Sequence, residues 1–112
     1  MGVPQAHAWS RGKGVSIPVI DTAVNIKHAD LAGNHITSRN FTGRRERAAA
    51  HGTAVAGIIA ATGGNKPGTV GIAPEAQMHA LAACWPDAAS PARAICDSFT
   101  LAVALANAIE RG

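Results

Sequence analysis

The sequence predicts an α/β fold in which a mainly parallel sheet is flanked by helices. Two short apolar runs, residues 15–20 and 77–84, are typical of buried strands, and residues 51–62 between them are typical of a helix. Strands that alternate with helices indicate parallel β-α-β units. The chain of 112 residues is 47% hydrophobic and 15% charged, which favours a small domain, or a piece of a larger one, with a buried core.

The first predicted elements are a short helix and a strand. Residues 3–9 predict a short helical segment, and Pro4 suits its first turn. A glycine-containing turn over residues 10–14 leads into the strand at 15–20. Pro18 fits this strand poorly, because proline donates no hydrogen bond and is normally confined to edges or bulges.

The middle of the chain predicts a loop, a second strand and a helix. Residues 25–40 are polar and predict a surface loop, with a second short strand over 35–41. The helix over 51–62 ends at Gly63-Gly64-Asn65, which is a typical stop signal. Residues 66–73 then predict another loop.

The last third of the chain predicts a strand, a loop and a helix. The strand covers residues 77–84, and a proline-containing loop covers 85–93. Asp97 or Ser98 then caps a final helix. Along this helix apolar residues recur at the four-residue spacing of a core-facing stripe, namely Leu101, Leu105 and Ile109. Because a β-α-β pattern needs a strand after its last helix, we expect the chain to be truncated at its C-terminus.

Composition and charge disfavour several classes of protein. No stretch reaches the roughly 20 consecutive apolar residues of a membrane-spanning helix. The first residues also lack the basic start and apolar run of a signal peptide. The formal net charge is +3, and its dense cluster of Arg44, Arg45 and Arg47 has no interleaved aromatic residues. That pattern favours a solvated loop, so we expect neither a membrane span nor a nucleic-acid partner.

The cysteines and the possible metal ligands give little support for a metal site. Cys84 and Cys96 flank a proline-containing loop, and either a disulfide bond or two buried free thiols fits the sequence. Zinc binding is disfavoured, because no further cysteine or histidine lies at ligand spacing. His28 and Asp30 likewise lack further ligands, so we expect a surface turn there.

Two polar residues are candidates for catalytic chemistry. Asp21 follows the strand at 15–20, and His51 begins the helix at 51–62. Functional groups of parallel sheets gather beyond the carboxyl ends of the strands, so we expect both side chains there. An aspartate bonded to imidazole fixes its tautomer and leaves the other ring nitrogen to take a proton from a hydroxyl. Taken alone, each of the two residues is more often structural than catalytic.

Four segments with distinctive motifs cover nearly the whole chain. They begin with Gly-Val-Ser-Ile-Pro-Val-Ile-Asp-Thr-Ala-Val at residues 14–24 and His-Ala-Asp-Leu at 28–31. His-Gly-Thr-Ala-Val-Ala-Gly at 51–57 and Gly-Ile-Ala-Pro-Glu-Ala at 71–76 follow. In this order and spacing, the segments resemble the Asp-Thr-Gly, His-Pro-Asp-Leu, His-Gly-Thr-x-Val-Ala-Gly and Gly-Val-Ala-Pro-x-Ala motifs of the subtilisin-like serine proteases, peptidase family S8.

This resemblance implies that Asp21 is the aspartate and His51 the general base of an Asp-His-Ser triad. The family's nucleophile lies in a later Gly-Thr-Ser-x-Ala motif, which this sequence lacks. None of the serines present has that context: Ser10, Ser16, Ser38, Ser90 and Ser98. The resemblance therefore implies that residues 1–112 are the amino-terminal portion of a catalytic domain. We expect a partial three-layer sandwich that is inactive by itself.

The resemblance also implies a peptide or protein substrate and no cofactor. Some family members bind calcium structurally, but no oxygen-rich loop in this sequence assigns ligands to it. Family members are commonly secreted, which suggests a secreted or periplasmic location for this chain.

Some positions depart from the family pattern. Ala23 and Ala50 stand where the family usually has glycine, and Pro18 interrupts a strand that should be central. These departures leave an alternative function open, a noncatalytic protease-like module that binds peptides or serves as structure. A nucleotide-binding domain is a more distant alternative, because no Gly-x-Gly-x-x-Gly turn follows the first strand.

Overall fold

The computed structural model describes residues 2–31, 35–45, 49–62 and 70–111. Within these ranges each predicted helix and strand has a counterpart, in the predicted order. The elements in chain order are α1 (Val3–Ala6), β1 (Ser16–Asp21), a 3₁₀ helix (Ala29–Leu31), β2 (Ile36–Asn40), α2 (Ala50–Ala60), β3 (Gln77–Ala82), β4 (Cys84–Pro86), β5 (Ala94–Cys96) and α3 (Ser98–Arg111). Among these helices, none has the length and apolar character needed to cross a bilayer.

The main sheet is parallel, with β3 between β1 and β2. Asp21 at the end of β1 pairs in register with Ala82 at the end of β3. Asn40 at the end of β2 also pairs in register with Ala82. The three strands therefore end together at one side of the sheet, which we call the carboxyl edge.

Two helices cover opposite faces of this sheet. Neighbouring side chains of a strand point to opposite faces, so Met78 and Leu81 of β3 face different layers. The layer under α2 has a buried cluster made of Val24, Leu31, Ala56, Ala60, Met78 and Ala80. The layer under α3 has a second cluster made of Leu81, Ala83, Cys84 and Ala104. This helix–sheet–helix order confirms the predicted α/β class and is compatible with a partial three-layer sandwich.

Pro18 lies inside β1, and the hydrogen-bond pattern explains why it is tolerated. The carbonyl of Val15 accepts a hydrogen bond from the amide of Gln77. The carbonyl of Asp21 accepts one from the amide of Ala83. Bonding direction alternates along a strand, so Pro18 directs its nitrogen away from β3. In the described part of the chain that side of β1 is an edge, where proline removes no ladder hydrogen bond.

The helix and strand boundaries differ slightly from those predicted. α1 ends at Ala6 rather than at residue 9, and α2 covers Ala50–Ala60 rather than 51–62. The strand predicted over 35–41 is confirmed as β2. The glycine-containing stop signal at 63–65 lies outside the described residues.

The face of α3 that packs on the sheet is not the predicted one. The predicted stripe is 40% to 70% exposed in the described structure: Leu101, Leu105 and Ile109. Thr100 and Ala104 are buried instead, and Ala108 packs beside them. The Thr100 hydroxyl donates a hydrogen bond to the carbonyl of Ala83 at 2.8 Å. This short bond holds the small-residue face of α3 against the sheet, so the spacing of the large residues misidentified the packed side.

Asp97 caps α3. Its Oδ1 accepts a hydrogen bond from the backbone amide of Thr100 at 2.7 Å. That hydrogen bond is the main reason why the pKa of the Asp97 carboxyl lies below its ordinary value, and Arg44 adds a smaller electrostatic contribution. The sequence left Asp97 and Ser98 open as caps, and the geometry selects Asp97.

A disulfide-linked hairpin replaces most of the loop predicted after β3. The predicted strand ends at Ala82 rather than at residue 84, and β4 then pairs antiparallel with β5. Cys84 lies opposite Cys96, and a disulfide bond joins them. Of the two alternatives that the sequence left open, the structure therefore has the disulfide. The three-residue strands of this hairpin are too short to give a periodic sequence signal.

Helix α2 approaches the sheet through small residues. Gly52, Ala56 and Ala60 recur every four residues and are all buried. A Cβ on Gly52 would lie 2.5 Å from the carbonyl oxygen of Thr22 and 2.7 Å from its hydroxyl. The first turn of α2 can therefore touch the chain after β1 only because residue 52 has no side chain.

We expect Gly52→Ala to lower the free energy of unfolding by about 1–3 kcal/mol, because the methyl group has no room against Thr22. The matched control is Gly57→Ala in the same helix, where a Cβ meets no described atom within 4 Å. Alanine there should raise the free energy of unfolding by about 0.5–1 kcal/mol through its helix propensity. Urea denaturation measures both, and equal effects would contradict the close approach.

We expect loss of the disulfide to lower the free energy of unfolding by about 2–4 kcal/mol. The intact disulfide closes a loop in the unfolded chain and thereby reduces the entropy of the unfolded state. A reducing agent should therefore lower the urea midpoint of the native protein. The same reagent should leave the variant Cys84→Ala/Cys96→Ser unchanged. A native midpoint that does not respond to reduction would show that the bridge contributes nothing to stability.

Candidate active site

Asp21 lies at the carboxyl edge as the last residue of β1. Its side chain is only 14% exposed. The carboxylate oxygen Oδ1 accepts a hydrogen bond from the backbone amide of Thr22 at 2.6 Å. The end of the strand and the following amide together fix the direction of this carboxylate.

His51 lies in the first turn of α2, and its side chain is 63% exposed. Its Nδ1 is 2.9 Å from Oδ1 of Asp21, although the two residues are thirty positions apart in the chain. The structure therefore brings together the two candidate residues that the sequence selected. A nearly buried carboxylate supports an imidazole that projects into solvent.

The chemistry of the pair assigns the tautomer of the imidazole. An ionised carboxylate only accepts hydrogen bonds, so Nδ1 of His51 carries the proton that Asp21 accepts. In neutral imidazole the other nitrogen, Nε2, then has a free lone pair. Within the described part of the chain, Nε2 of His51 has no hydrogen-bond partner. The arrangement can therefore act as a base toward a group that approaches from solvent.

The amino end of α2 is capped from another part of the chain. Ala49 occupies the N-cap position, and alanine has no side-chain oxygen to bind the free amides of the first turn. The hydroxyl of Thr22 supplies this oxygen, accepting a hydrogen bond from the amide of Gly52 at 3.0 Å. Since Thr22 also binds Asp21 through its amide, one residue positions both members of the pair.

Two further hydrogen bonds join α2 to the segment after β1. The amide of Ala49 donates to the carbonyl of Ala23 at 3.0 Å. The amide of Asn25 donates to the hydroxyl of Thr53 at 2.9 Å. Residues 22–25 and the first turn of α2 therefore form one hydrogen-bonded unit around the candidate site.

Thr22 is the positioning residue that sequence reasoning missed. It is 2% exposed and therefore buried, which is uncommon for threonine unless its hydroxyl is bonded. The available signal was the alanine run before His51, which leaves α2 without a local cap. The free amides of a helix without a local cap need a hydrogen-bond acceptor from elsewhere in the chain, and Thr22, directly after the candidate aspartate, supplies one.

A cleft of about 590 Å³ opens at the carboxyl edge beside this pair. Ala23, two residues after Asp21, lines it, and so does Ala82, which pairs with Asp21 in the sheet. Arg44 in the turn after β2 and Trp85 in β4 also line the cleft. The site therefore combines an acid–base pair with an adjacent groove, which is typical of a binding site.

The other candidate sites have structural explanations. His28 accepts a hydrogen bond through Nδ1 from the amide of Asp30 at 3.1 Å, as expected for a turn. Among the residues that the structure describes, no group of three or more His, Cys, Asp or Glu side chains gathers as metal ligands. The hydroxyl of Ser16 bonds to Nε2 of His79 on the sheet and not to His51.

Comparison with known sequences adds independent information on this chain. The model of the subtilase family matches residues 12–100, a range that includes both Asp21 and His51. The chain is 45% identical over 82 residues to an intracellular serine protease of Paenibacillus polymyxa, a match that covers 67% of this chain and 25% of that protein.

Other relatives give the same result. The chain is 37% identical over 81 residues to thermitase of Thermoactinomyces vulgaris, which covers 70% of this chain and 29% of thermitase. It is 34% identical over 91 residues to mycosin-1 of Mycobacterium tuberculosis, which covers 72% of this chain and 18% of mycosin-1. The matched part of the chain thus spans less than a third of each of these relatives.

We expect Thr22→Val to lower the free energy of unfolding by about 1–2 kcal/mol, because the buried amide of Gly52 loses its acceptor. Thr22→Ser keeps the oxygen and should retain most of the stability. The ¹⁵N resonances of the His51 ring should report a protonated Nδ1 in the native and serine forms, and a weaker preference in the valine form. Equal stability of the valine and serine variants would contradict the capping role.

Proposed function

The chain belongs to the subtilase family, and on that basis we propose that it contributes the aspartate and the histidine of a serine endopeptidase. Asp21 is the triad aspartate and His51 the general base. The observation that carries this proposal is the 2.9 Å contact between Nδ1 of His51 and Oδ1 of Asp21. Three relatives named serine proteases or proteinases, from Paenibacillus, Bacillus subtilis and another Bacillus strain, support the same reaction class.

In the proposed mechanism, His51 removes a proton from a serine hydroxyl through Nε2. The serine oxygen attacks the peptide carbonyl, and His51 then gives the proton to the leaving amine. Water hydrolyses the resulting acyl-enzyme by the same route. Asp21 holds the ring in the required tautomer and stabilises the imidazolium while it exists, which its low exposure and its bond to the Thr22 amide support.

The nucleophilic serine of this proposal lies outside the 112 residues. Each serine of this chain is in a described range, and within those ranges the recorded hydrogen-bond partner of His51 is Asp21. Ser16 and Ser38 lie on strands, and Ser98 begins α3. We therefore propose that residues 1–112 are the amino-terminal part of a peptidase domain and hydrolyse no peptide by themselves.

The alternative function, a noncatalytic protease-like module, draws its support from the alanines at 23 and 50. Glycine would be required there if the backbone adopted a positive φ. Among the described residues, only glycines have positive φ, so neither Ala23 nor Ala50 is strained. Ala23 moreover uses its carbonyl to bind the amide of Ala49. These observations favour the endopeptidase over the noncatalytic module.

We expect His51→Ala in the full-length protein to lower kcat by roughly 10⁴-fold or more on a peptide substrate, because the general base is removed. Asp21→Asn should lower kcat by a similar roughly 10⁴-fold factor through the wrong tautomer. KM should change little in both variants. Steady-state hydrolysis of a chromogenic peptide provides the measurement.

The matched control is His28→Ala, because His28 bonds to Asp30 and not to the pair. It should keep full activity. A serine-directed phosphonate should label the full-length protein and leave the isolated 112 residues unlabelled. Full activity of His51→Ala, or labelling of the isolated chain, would refute the proposed roles.

A further inference from the structure

We propose that the cleft beside the Asp21–His51 pair selects peptides with an acidic side chain, which Arg44 and Arg45 bind. This inference rests on the proposed function in one respect, namely that the ligand is a peptide substrate. The sequence predicts that this arginine cluster forms a solvated loop. Arg44 and Arg45 are indeed exposed in the loop after β2, and they also line the cleft, while Arg47 lies outside the described residues.

The turn that carries Arg44 is held rigidly by Asn40. Asn40 Oδ1 accepts hydrogen bonds from the amide and the hydroxyl of Thr42, at 2.9 and 2.6 Å. The Nδ2 of Asn40 donates to the carbonyl of Arg44 at 2.7 Å. The amide of Arg44 in turn donates to the Thr42 hydroxyl at 3.1 Å. The backbone of Arg44 is therefore fixed at both its carbonyl and its amide.

The side chain of Arg44 is also positioned. Its guanidinium carbon lies 4.1 Å from the centre of the Trp85 ring. Stacking on tryptophan occupies one flat face of the guanidinium and leaves the N–H groups at its edge to donate. Trp85 itself belongs to β4, where it pairs with Ile95 next to the Cys84–Cys96 disulfide. The disulfide-linked β4–β5 hairpin and the hydrogen-bonded turn after β2 together hold the guanidinium of Arg44 at the cleft.

The charges around the cleft leave this cation available to a ligand. Arg44, Arg45 and Asp87 are the charged residues that line it. The two arginines outnumber the single carboxylate of Asp87, whose Oδ1 also accepts a hydrogen bond from the amide of Ala89 at 3.0 Å, so the lining has a net positive charge. Within the described ranges, neither Arg44 nor Arg45 forms an ion pair.

Asp97 is the other carboxylate near Arg44, and Arg44 is the smallest of the several causes that set the pKa of its carboxyl. Asp97 binds the amide of Thr100 as the cap of α3. A carboxylate from a bound peptide is therefore the partner that the two guanidinium groups lack. Arginine and carboxylate form charge-assisted and often bidentate hydrogen bonds, which suit selection of aspartate or glutamate.

The position of the cleft favours a peptide over a nucleic acid. Ala23 and Ala82 line it, and both adjoin Asp21 through the chain or the sheet. A peptide bound in the cleft would therefore lie next to the end of the strand that carries Asp21. Single-stranded nucleic acids are usually bound by several aromatic side chains on which the bases stack. Among the described residues that line the cleft, the single tryptophan already stacks on Arg44.

The test uses the full-length protein with His51→Ala, so that peptides bind without turnover. A set of hexapeptides carries Glu, Gln or Lys at one position and is otherwise identical, and one such set is made for each of the positions. Isothermal titration calorimetry measures the dissociation constant of every peptide. At one position at least, Glu should bind about tenfold more tightly than Gln, and Lys more weakly than both. The preference should shrink as NaCl is raised, because exposed charges are screened.

The variant Arg44→Gln/Arg45→Gln should abolish the preference for Glu, so that the dissociation constants of its Glu and Gln peptides become equal. Arg39→Gln is the matched control, because Arg39 stacks on Phe41 at 5.3 Å and does not line the cleft. It should keep the full preference. If the double variant fails to fold, Arg45→Gln alone is used, since in the described structure Arg45, unlike Arg44, does not stack on Trp85, and it should reduce the preference severalfold.

Equal affinity for Glu and Gln at all positions would overturn the inference. So would a preference that survives removal of both arginines, or tighter binding of a single-stranded oligonucleotide than of the best acidic peptide. The same peptides offered to the protein with native His51 separate the two proposals. Hydrolysis without a preference for Glu refutes this inference alone, whereas binding with the preference but without hydrolysis refutes the proposed endopeptidase alone.

Discussion

The contact between Gly52 and Thr22 is the constraint on which the candidate site depends. The amino end of α2 reaches the carboxyl edge of the sheet because residue 52 has no side chain to meet the Thr22 backbone. The Thr22 hydroxyl then caps the helix through the amide of Gly52, and its own amide binds Asp21. A single buried residue thereby sets the position of the helix that carries His51 and the direction of the carboxylate that it meets.

The parallel sheet brings the rest of the site to the same edge. β1 and β2 both end opposite Ala82, so the chain after each strand emerges beside the same cleft. The segment after β1 supports the acid–base pair, and the turn after β2 presents Arg44. The proposed catalytic pair and the proposed acidic-peptide site rest on separate hydrogen-bond networks, around Thr22 and Asn40. On these proposals, a change of the residues that bind the peptide need not disturb the pair.

Membership of the subtilase family and the geometry of the pair support each other. The family match covers residues 12–100 and includes both members of the pair, whose side chains meet at 2.9 Å. Nε2 of His51 has no hydrogen-bond partner within the described residues, which is the geometry that the proposed general base needs before substrate and nucleophile are in place. The disulfide-linked hairpin adds a rigid side to the cleft, and a rigid groove loses less entropy when it orders a peptide.

The sequence alone determined the order of the longer helices and strands, without the β4–β5 hairpin, and it selected Asp21 and His51, because apolar runs and the motifs around these two residues are local signals. It could not determine which side of α3 packs, since that depends on how closely Thr100 and the small residues approach the sheet. The cap supplied by Thr22 and the stacking of Arg44 on Trp85 were equally hidden. Each joins residues about thirty or more positions apart, and only the folded sheet and its helices bring such residues into contact.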